Sequence, residues 1–177
     1  MMTMRLRGLA GACALAIAAV SATPGAAAHG LKRNKIPGSD FPIAQSVEVM
    51  AGTDLIFLSG AVPQPQVEDG DPNDPATYGD TEAQTVSALN EIKSRLERIG
   101  LGMGDIIMMR AYLVGTPEND GRMDFAGFMR GYTQFFGTDA QPNLPSRSAI
   151  QIAGLARPSW YVEIEVVAAR AEGAHTE

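Results

Sequence analysis

The chain has 177 residues, 45% of them hydrophobic and 19% charged, with a formal net charge of −6. An acidic chain without a basic run is a poor binder of nucleic acid or anionic membranes. Its single cysteine, Cys13, and its two histidines, His29 and His175, lie near the ends. That argues against disulfides, a Cys nucleophile, a Ser-His-Asp triad or a His-rich metal centre, and leaves Arg, carboxylates, hydroxyls and backbone groups for any chemistry.

Residues 1–28 contain no acid and read as a removable export signal. Met1 to Arg7 is short and basic, Leu9 to Val20 is apolar, and Ala26-Ala27-Ala28 supplies small residues for cleavage. The apolar run is too short for a membrane anchor, which takes about 20 residues. Cleavage is expected after Ala28, with Ala22 as the second choice, and the destination is the periplasm or the medium. Without Arg5 and Arg7, 12 basic residues face 20 acidic ones, a formal charge of −8 on 149 residues. A chain of that length forms one domain and buries about 70% of its unfolded surface without a metal or disulfide.

Residues 29–40 are polar and lack apolar periodicity, which predicts a flexible leader before a domain spanning 41–170; residues 171–177 are expected to form a flexible tail. Ile43 to Met50 alternates apolar and polar residues, and Leu55 to Leu58 is a short apolar run. With the turn Ala51-Gly52-Thr53-Asp54 between them, they suggest a hairpin. Pro63 to Gly79 is rich in Pro, Gly, Asp and Asn and reads as a long exposed loop. Thr81 to Ile99 is the clearest helix. Asp80 or Thr81 can cap it, with Gln84 completing a capping box from Thr81, and Val86, Leu89, Ile92, Leu96 and Ile99 recur at helical spacing before Gly100. Ile106 to Val114 reads as a strand, Asp124 to Phe136 as a helix with an aromatic core-facing stripe, and Arg147 to Ile152 and Trp160 to Ala168 as the last strands. Interspersed strands and helices in the order β-β-α-β-α-β-β point to a two-layer α+β sandwich.

Two constellations carry possible chemistry. Arg147 sits at a strand entrance in Pro145-Ser146-Arg147-Ser148, where a guanidinium can serve as a rigid fork for a carboxylate. Glu163 and Glu165 share one face of the last strand, and Val162, Ile164 and Val166 share the other. Local pattern alone favours a structural Arg–Glu pair over a catalytic one. Asp69 to Asp80 has oxygen ligands at spacings reminiscent of a calcium loop. Asp74 stands where the sharp turn needs Gly, Asp80 replaces the bidentate Glu, and Pro72 and Pro75 stiffen it, so a solvated acidic loop is expected.

Phe57-Leu58-Ser59-Gly60-Ala61-Val62-Pro63, Glu82-Ala83-Gln84-Thr85 and Pro145-Ser146-Arg147-Ser148-Ala149-Ile150, followed by Val162-Glu163-Ile164, resemble the RidA (YjgF-type) family of reactive intermediate deaminases. The resemblance runs from about Ile43 to Ala169. It implies a chorismate-mutase-like fold, a mixed β-sheet with two helices on one face, assembling as a homotrimer with active sites between subunits. It also implies hydrolysis of imines and enamines derived from amino acids to 2-keto acids and ammonia, with no cofactor and no metal. By resemblance Arg147 clamps the substrate carboxylate, Ser59 lines the pocket, Glu163 positions the attacking water, and the backbone N–H of Ala149 adds a hydrogen bond. Many members carry Tyr near Ile43, Cys at the position of Ala149 and Asn at that of Met129, so this pocket is more apolar. The alternative is a non-catalytic trimer of the same fold that binds a small acid or a partner.

Overall fold

The computed structural model describes residues 30–170. The proposed signal, its cleavage sites and the tail 171–177 lie outside the described residues. In chain order the elements are β1 (Leu31–Lys35), β2 (Ala44–Val49), β3 (Asp54–Ala61), α1 (Thr81–Glu97), β4 (Ile106–Thr116), β5 (Arg122–Met123), α2 (Phe125–Tyr132), β6 (Ser146–Ile152) and β7 (Val162–Arg170). The main sheet runs β1-β2-β6-β4-β7-β3, and β5 pairs with the end of β4. The β2–β6 and β4–β6 pairs are parallel and the rest antiparallel. Both helices cover one face, giving the α+β two-layer sandwich.

The periodicities explain the core. Leu89, Ile92 and Leu96 of α1 and Phe128 and Tyr132 of α2 meet Met109, Ala111 and Leu113 of β4 and Val162, Ile164 and Val166 of β7, all buried. A period of 3.6 on the helices and of 2 on the strands turns each apolar set to the shared interior. The helices touch closely at Gly131, where an added Cβ would come within 2.7 Å of Thr85 Cβ and 3.0 Å of the Glu82 carbonyl.

Asp80, not Thr81, caps α1, accepting from the Ala83 amide at 2.9 Å. Gln84 does not complete a box. Fully buried, it donates to the carbonyls of Gly79 and Ser159, both at 3.0 Å, and accepts from the Tyr161 amide at 2.7 Å. It thereby ties the start of α1 to the chain entering β7. Asp124 caps α2 through the Gly127 amide at 2.8 Å. The helix ends at Tyr132, earlier than the apolar pattern suggests. Phe136 still reaches the core by stacking on Tyr132, 4.7 Å between ring centroids.

Two expectations are corrected. The leader 29–40 contains a strand, because β1 pairs antiparallel with β2 from Leu31↔Val49 to Lys35↔Ala44. Arg33 anchors it, donating through Nη1 to the carbonyls of Ile106 (2.9 Å) and Leu144 (2.7 Å) and through Nη2 to that of Gly104 (2.8 Å). Backbone pairing and one guanidinium hold this edge, so no apolar periodicity announces it. The second correction concerns the hairpin: β2 and β3 are not partners. β3 pairs with β7, from Asp54↔Arg170 to Ala61↔Ile164, at the far end of the sheet from β1.

The acidic loop folds on its own carboxylates and carbonyls. Asp71 accepts from the Asn73 amide, Asp74 caps a 3₁₀ turn at Pro75–Thr77, and the Thr77 hydroxyl donates to the Asp71 carbonyl at 2.7 Å.

Candidate active site

Arg147 enters the sheet in register with Met109 of β4, a core residue, and so points to the helix-covered face. Its guanidinium lies among four rings, with its central carbon 4.2 Å from the ring centroid of Tyr132, 5.0 Å from Phe128, 5.5 Å from Phe41 and 5.9 Å from Phe125. Its Nη1 is buried and has no hydrogen-bond partner among the described residues. Burial lowers the guanidinium pKa, opposed by the neighbouring Tyr132 phenol, whose own pKa burial raises. The Tyr132 hydroxyl donates to the Pro42 carbonyl at 2.8 Å, which draws the Phe41 segment over the cage.

A cavity of about 540 Å³ opens beside Arg147, with Ile36, Ile43, Met108, Ser146 and Ser148 in its walls. It exists because β2 leaves β6 after one register pair, Ala44↔Ser146. Ala149 lies two residues beyond Arg147, on the same face, against the core. Arg147 is itself among the residues that line this cavity, and a guanidinium with an unpaired donor can receive an anion.

Ser59 and Glu163 lie elsewhere. Glu163 is in register with Tyr112 on the open face of the sheet. Ser59 is exposed at the irregularity between Leu58 and Ala61 of β3, next to β7, and its carbonyl accepts from Arg95 Nη1 at 3.0 Å. A Cβ on Gly60 would collide with the Glu163 carboxylate, so Gly60 is what lets that carboxylate lie against β3. One chain therefore brings Ser59 to Glu163 and Arg147 to Ala149. It does not bring the two pairs together, because Glu163 lies two strand spacings, about 10 Å, and Ser59 three, about 14 Å, from the strand of Arg147, on the other side of the sheet.

The structural Arg–Glu pair expected from local pattern does not form with Arg147. Glu165 pairs instead with Arg110 at 2.7 Å and accepts from the Tyr112 hydroxyl at 2.8 Å. Those two hydrogen bonds, Arg110 first, lower its pKa. The sequence reading assigned the aromatic stripe of α2 to the core and missed its second role as the wall around Arg147. The 3.6 spacing of Phe125, Phe128 and Tyr132 indicates a buried face, but nothing local indicates that an arginine from β6 is buried with them.

A family model described as Endoribonuclease L-PSP matches residues 39–170. The chain belongs to that family. Its relatives include TdcF of Escherichia coli K12, which bears the name of a reactive intermediate deaminase and is 32% identical over 79% of this chain and 95% of its own. The 2-iminobutanoate/2-iminopropanoate deaminase of Salmonella typhimurium is 28% identical over 76% of this chain and 91% of its own. Among solved structures, E. coli TdcF with bound serine matches at a TM-score of 0.50 and 28% identity, covering 80% of this chain and 98% of that one. A Rid-family protein from Yersinia pestis matches at a TM-score of 0.58 and 23% identity over 78% and 98%, which supports the fold. The RidA/YjgF resemblance is thus a family membership.

Proposed function

We propose that the chain is an exported deaminase that hydrolyses imines and enamines derived from amino acids to 2-keto acids and ammonia, working as a homotrimer. The observation that carries this reading is the caged guanidinium of Arg147, with one buried donor unpaired beside a cavity. A planar fork with an open donor fits a carboxylate, the group common to imino acids, keto acids and the serine bound by the related TdcF. Residues of two faces must meet for turnover. In the trimer, Ser59 and Glu163 of one subunit close over Arg147 of the next. The exposed Leu55 and Phe57, on the same open face further along β3 and opposite Ala169 and Val167 of β7, supply apolar surface for that contact.

In the assembled cleft Arg147 and the Ala149 amide hold the substrate carboxylate, and Glu163 orients a water. The water oxygen bonds to the imine carbon as its proton passes to Glu163, the C=N pair moves to nitrogen, and Glu163 returns that proton to the nitrogen, giving a neutral carbinolamine. The carbinolamine then collapses: its hydroxyl proton passes through Glu163 to the amine nitrogen, the C–N bond breaks, ammonia leaves and the keto acid remains. Holding carboxylate, imine carbon and water in one geometry supplies several kcal/mol of the barrier reduction.

Ile43 in the cavity wall, where many active relatives carry Tyr, favours a second reading, a trimer that binds small acids without turnover. One experiment separates the readings. An amino-acid oxidase generates imines, and keto-acid formation is followed with and without the protein. Acceleration that Arg147→Ala and Arg147→Lys both abolish, with the fold intact, supports the enzyme. Retained keto-acid binding without acceleration supports the binder. Losing the bidentate contact costs about 2–5 kcal/mol in binding or transition-state stabilisation. Unchanged keto-acid affinity in Arg147→Ala, with a destabilised fold, would make Arg147 scaffold and overturn both. Export rests on the ordered basic, apolar and small-residue segments of 1–28. Intact mass of periplasmic or secreted material should correspond to a chain starting at His29, and an unprocessed Met1 start would refute it.

A further inference from the structure

A second cavity, about 740 Å³ in volume, lies at the opposite end of β4 from Arg147. Thr116 in its wall is seven residues along the strand from Met109, roughly 23 Å away. The 3₁₀ turn of the acidic loop, the starts of α1 and α2 and the chain before β7 enclose it. Four carboxylates line it: Asp74, Asp80, Glu118 and Asp124. Three of these cap backbone amides, of Ala76, Ala83 and Gly127. The amides that could attract an anion to these helix starts are therefore already occupied, each by one carboxylate oxygen, which leaves the second oxygen of each capping carboxylate over.

Three hydroxyls make this more than an acidic surface. Tyr161 is only 9% exposed, Thr81 3% and Thr116 4%, and all three line the cavity. None of their hydroxyls has a hydrogen-bond partner among the described residues, and Thr116 makes no side-chain cap to the turn that follows it. The Tyr161 phenol faces Glu118 and Asp74. Burial first, and then those two charges, raise its pKa, so it remains a neutral donor and acceptor. Among the described residues no group of three His, Cys, Asp or Glu side chains is placed to hold a metal ion. Dispersed carboxylates around open hydroxyls suit a ligand that spreads several N–H donors over several ångströms.

We propose that this cavity is a binding site for a small organic cation bearing ammonium groups, of the size of a short aliphatic diamine. The ammonium groups sit between Asp74 and Glu118 and near the capping carboxylates, and Tyr161, Thr81 and Thr116 accept their remaining hydrogens. The site does not depend on the chemistry assigned to Arg147.

The probe is 1,4-diaminobutane, titrated calorimetrically into the purified protein at 0.15 M salt, with butane-1,4-diol as the uncharged control. Saturable binding of the diamine, one per chain, with none of the diol, is expected. Asp74→Asn retains the oxygen that caps the Ala76 amide, and combined with Glu118→Gln it should weaken the diamine about tenfold or more. Tyr161→Phe should weaken it by about threefold or more with an unchanged melting temperature. Absent or non-saturable binding at this salt, equal binding of the diol, unchanged affinity in the double variant, or displacement of the diamine by equimolar calcium chloride would each overturn the proposal.

Discussion

The two faces of the sheet are built from the same strands and have opposite characters. On the helix side, alternate residues of β4 and β7 are fully buried, and a half-buried guanidinium packs among four rings. On the other side, the intervening residues of the same strands form a mixed surface. Tyr112, Arg110, Glu163 and Glu165 lie beside the exposed apolar side chains Leu55, Phe57 and Ile150. A face made only to meet water would not carry Phe57 at 75% exposure. The covered face accounts for the stability of a lone chain, and the open face is the one that the proposed trimer uses. The proposed chemistry needs both, because the anion receptor belongs to one and the carboxylate that directs water to the other.

Two phenylalanines test this contrast, with the largest effects expected of any substitution outside Arg147. Phe128 is fully buried at the Arg147 cage, and Phe128→Ala should cost about 3–5 kcal/mol. That loss is visible as a large fall in melting temperature whatever the oligomeric state. Phe57→Asp places a charge on the open face, away from the core. It should leave the subunit folded, convert trimer to monomer in sedimentation, and abolish keto-acid formation by parting Glu163 from the neighbouring Arg147. A Phe57→Asp protein that remains trimeric and active would break the comparison and locate the interface elsewhere.

Much of the covered face was legible in the sequence, because burial leaves a period. Leu89, Ile92 and Leu96, and Val162, Ile164 and Val166, are read correctly from spacing alone. The alternation of β7 likewise places Glu163 and Glu165 together on the other face. What spacing cannot show is pairing. β2 and β3 look like a hairpin because they are adjacent in sequence, yet β3 finds β7 more than 100 residues later through backbone bonds that any sequence makes. β1 is invisible because its anchor is one arginine on three carbonyls. The candidate site is legible in the sequence as a set of residue types and not as a constellation. Arg147, Ser59 and Glu163 carry motifs, but only the three-dimensional sheet reveals that they fall on two faces.

The smallest effect, and the finest test of the contrast, comes from Glu165. Its carboxylate accepts from Arg110 and Tyr112, and these bonds hold its pKa below the ordinary carboxylate value of 4.5. A carboxylate whose pKa is lower folded than unfolded stabilises the fold above the unfolded value. That contribution is lost as pH falls through the lowered one, since both states are then protonated. The melting temperature of the native protein should therefore exceed that of Glu165→Gln at pH 7, and the gap should close below about pH 4.5. In a lone subunit both partners are substantially exposed, so water screens the pair and the gap at pH 7 should be only about 1–2 °C. If a neighbouring subunit covers the open face, the same pair loses its water and Gln leaves Arg110 without a counter-charge. The gap then widens in the trimer and shrinks again in the Phe57→Asp background. A gap that is small and identical in both backgrounds would mean that this part of the face stays in water, and that the subunits meet without covering the carboxylates beside Glu163.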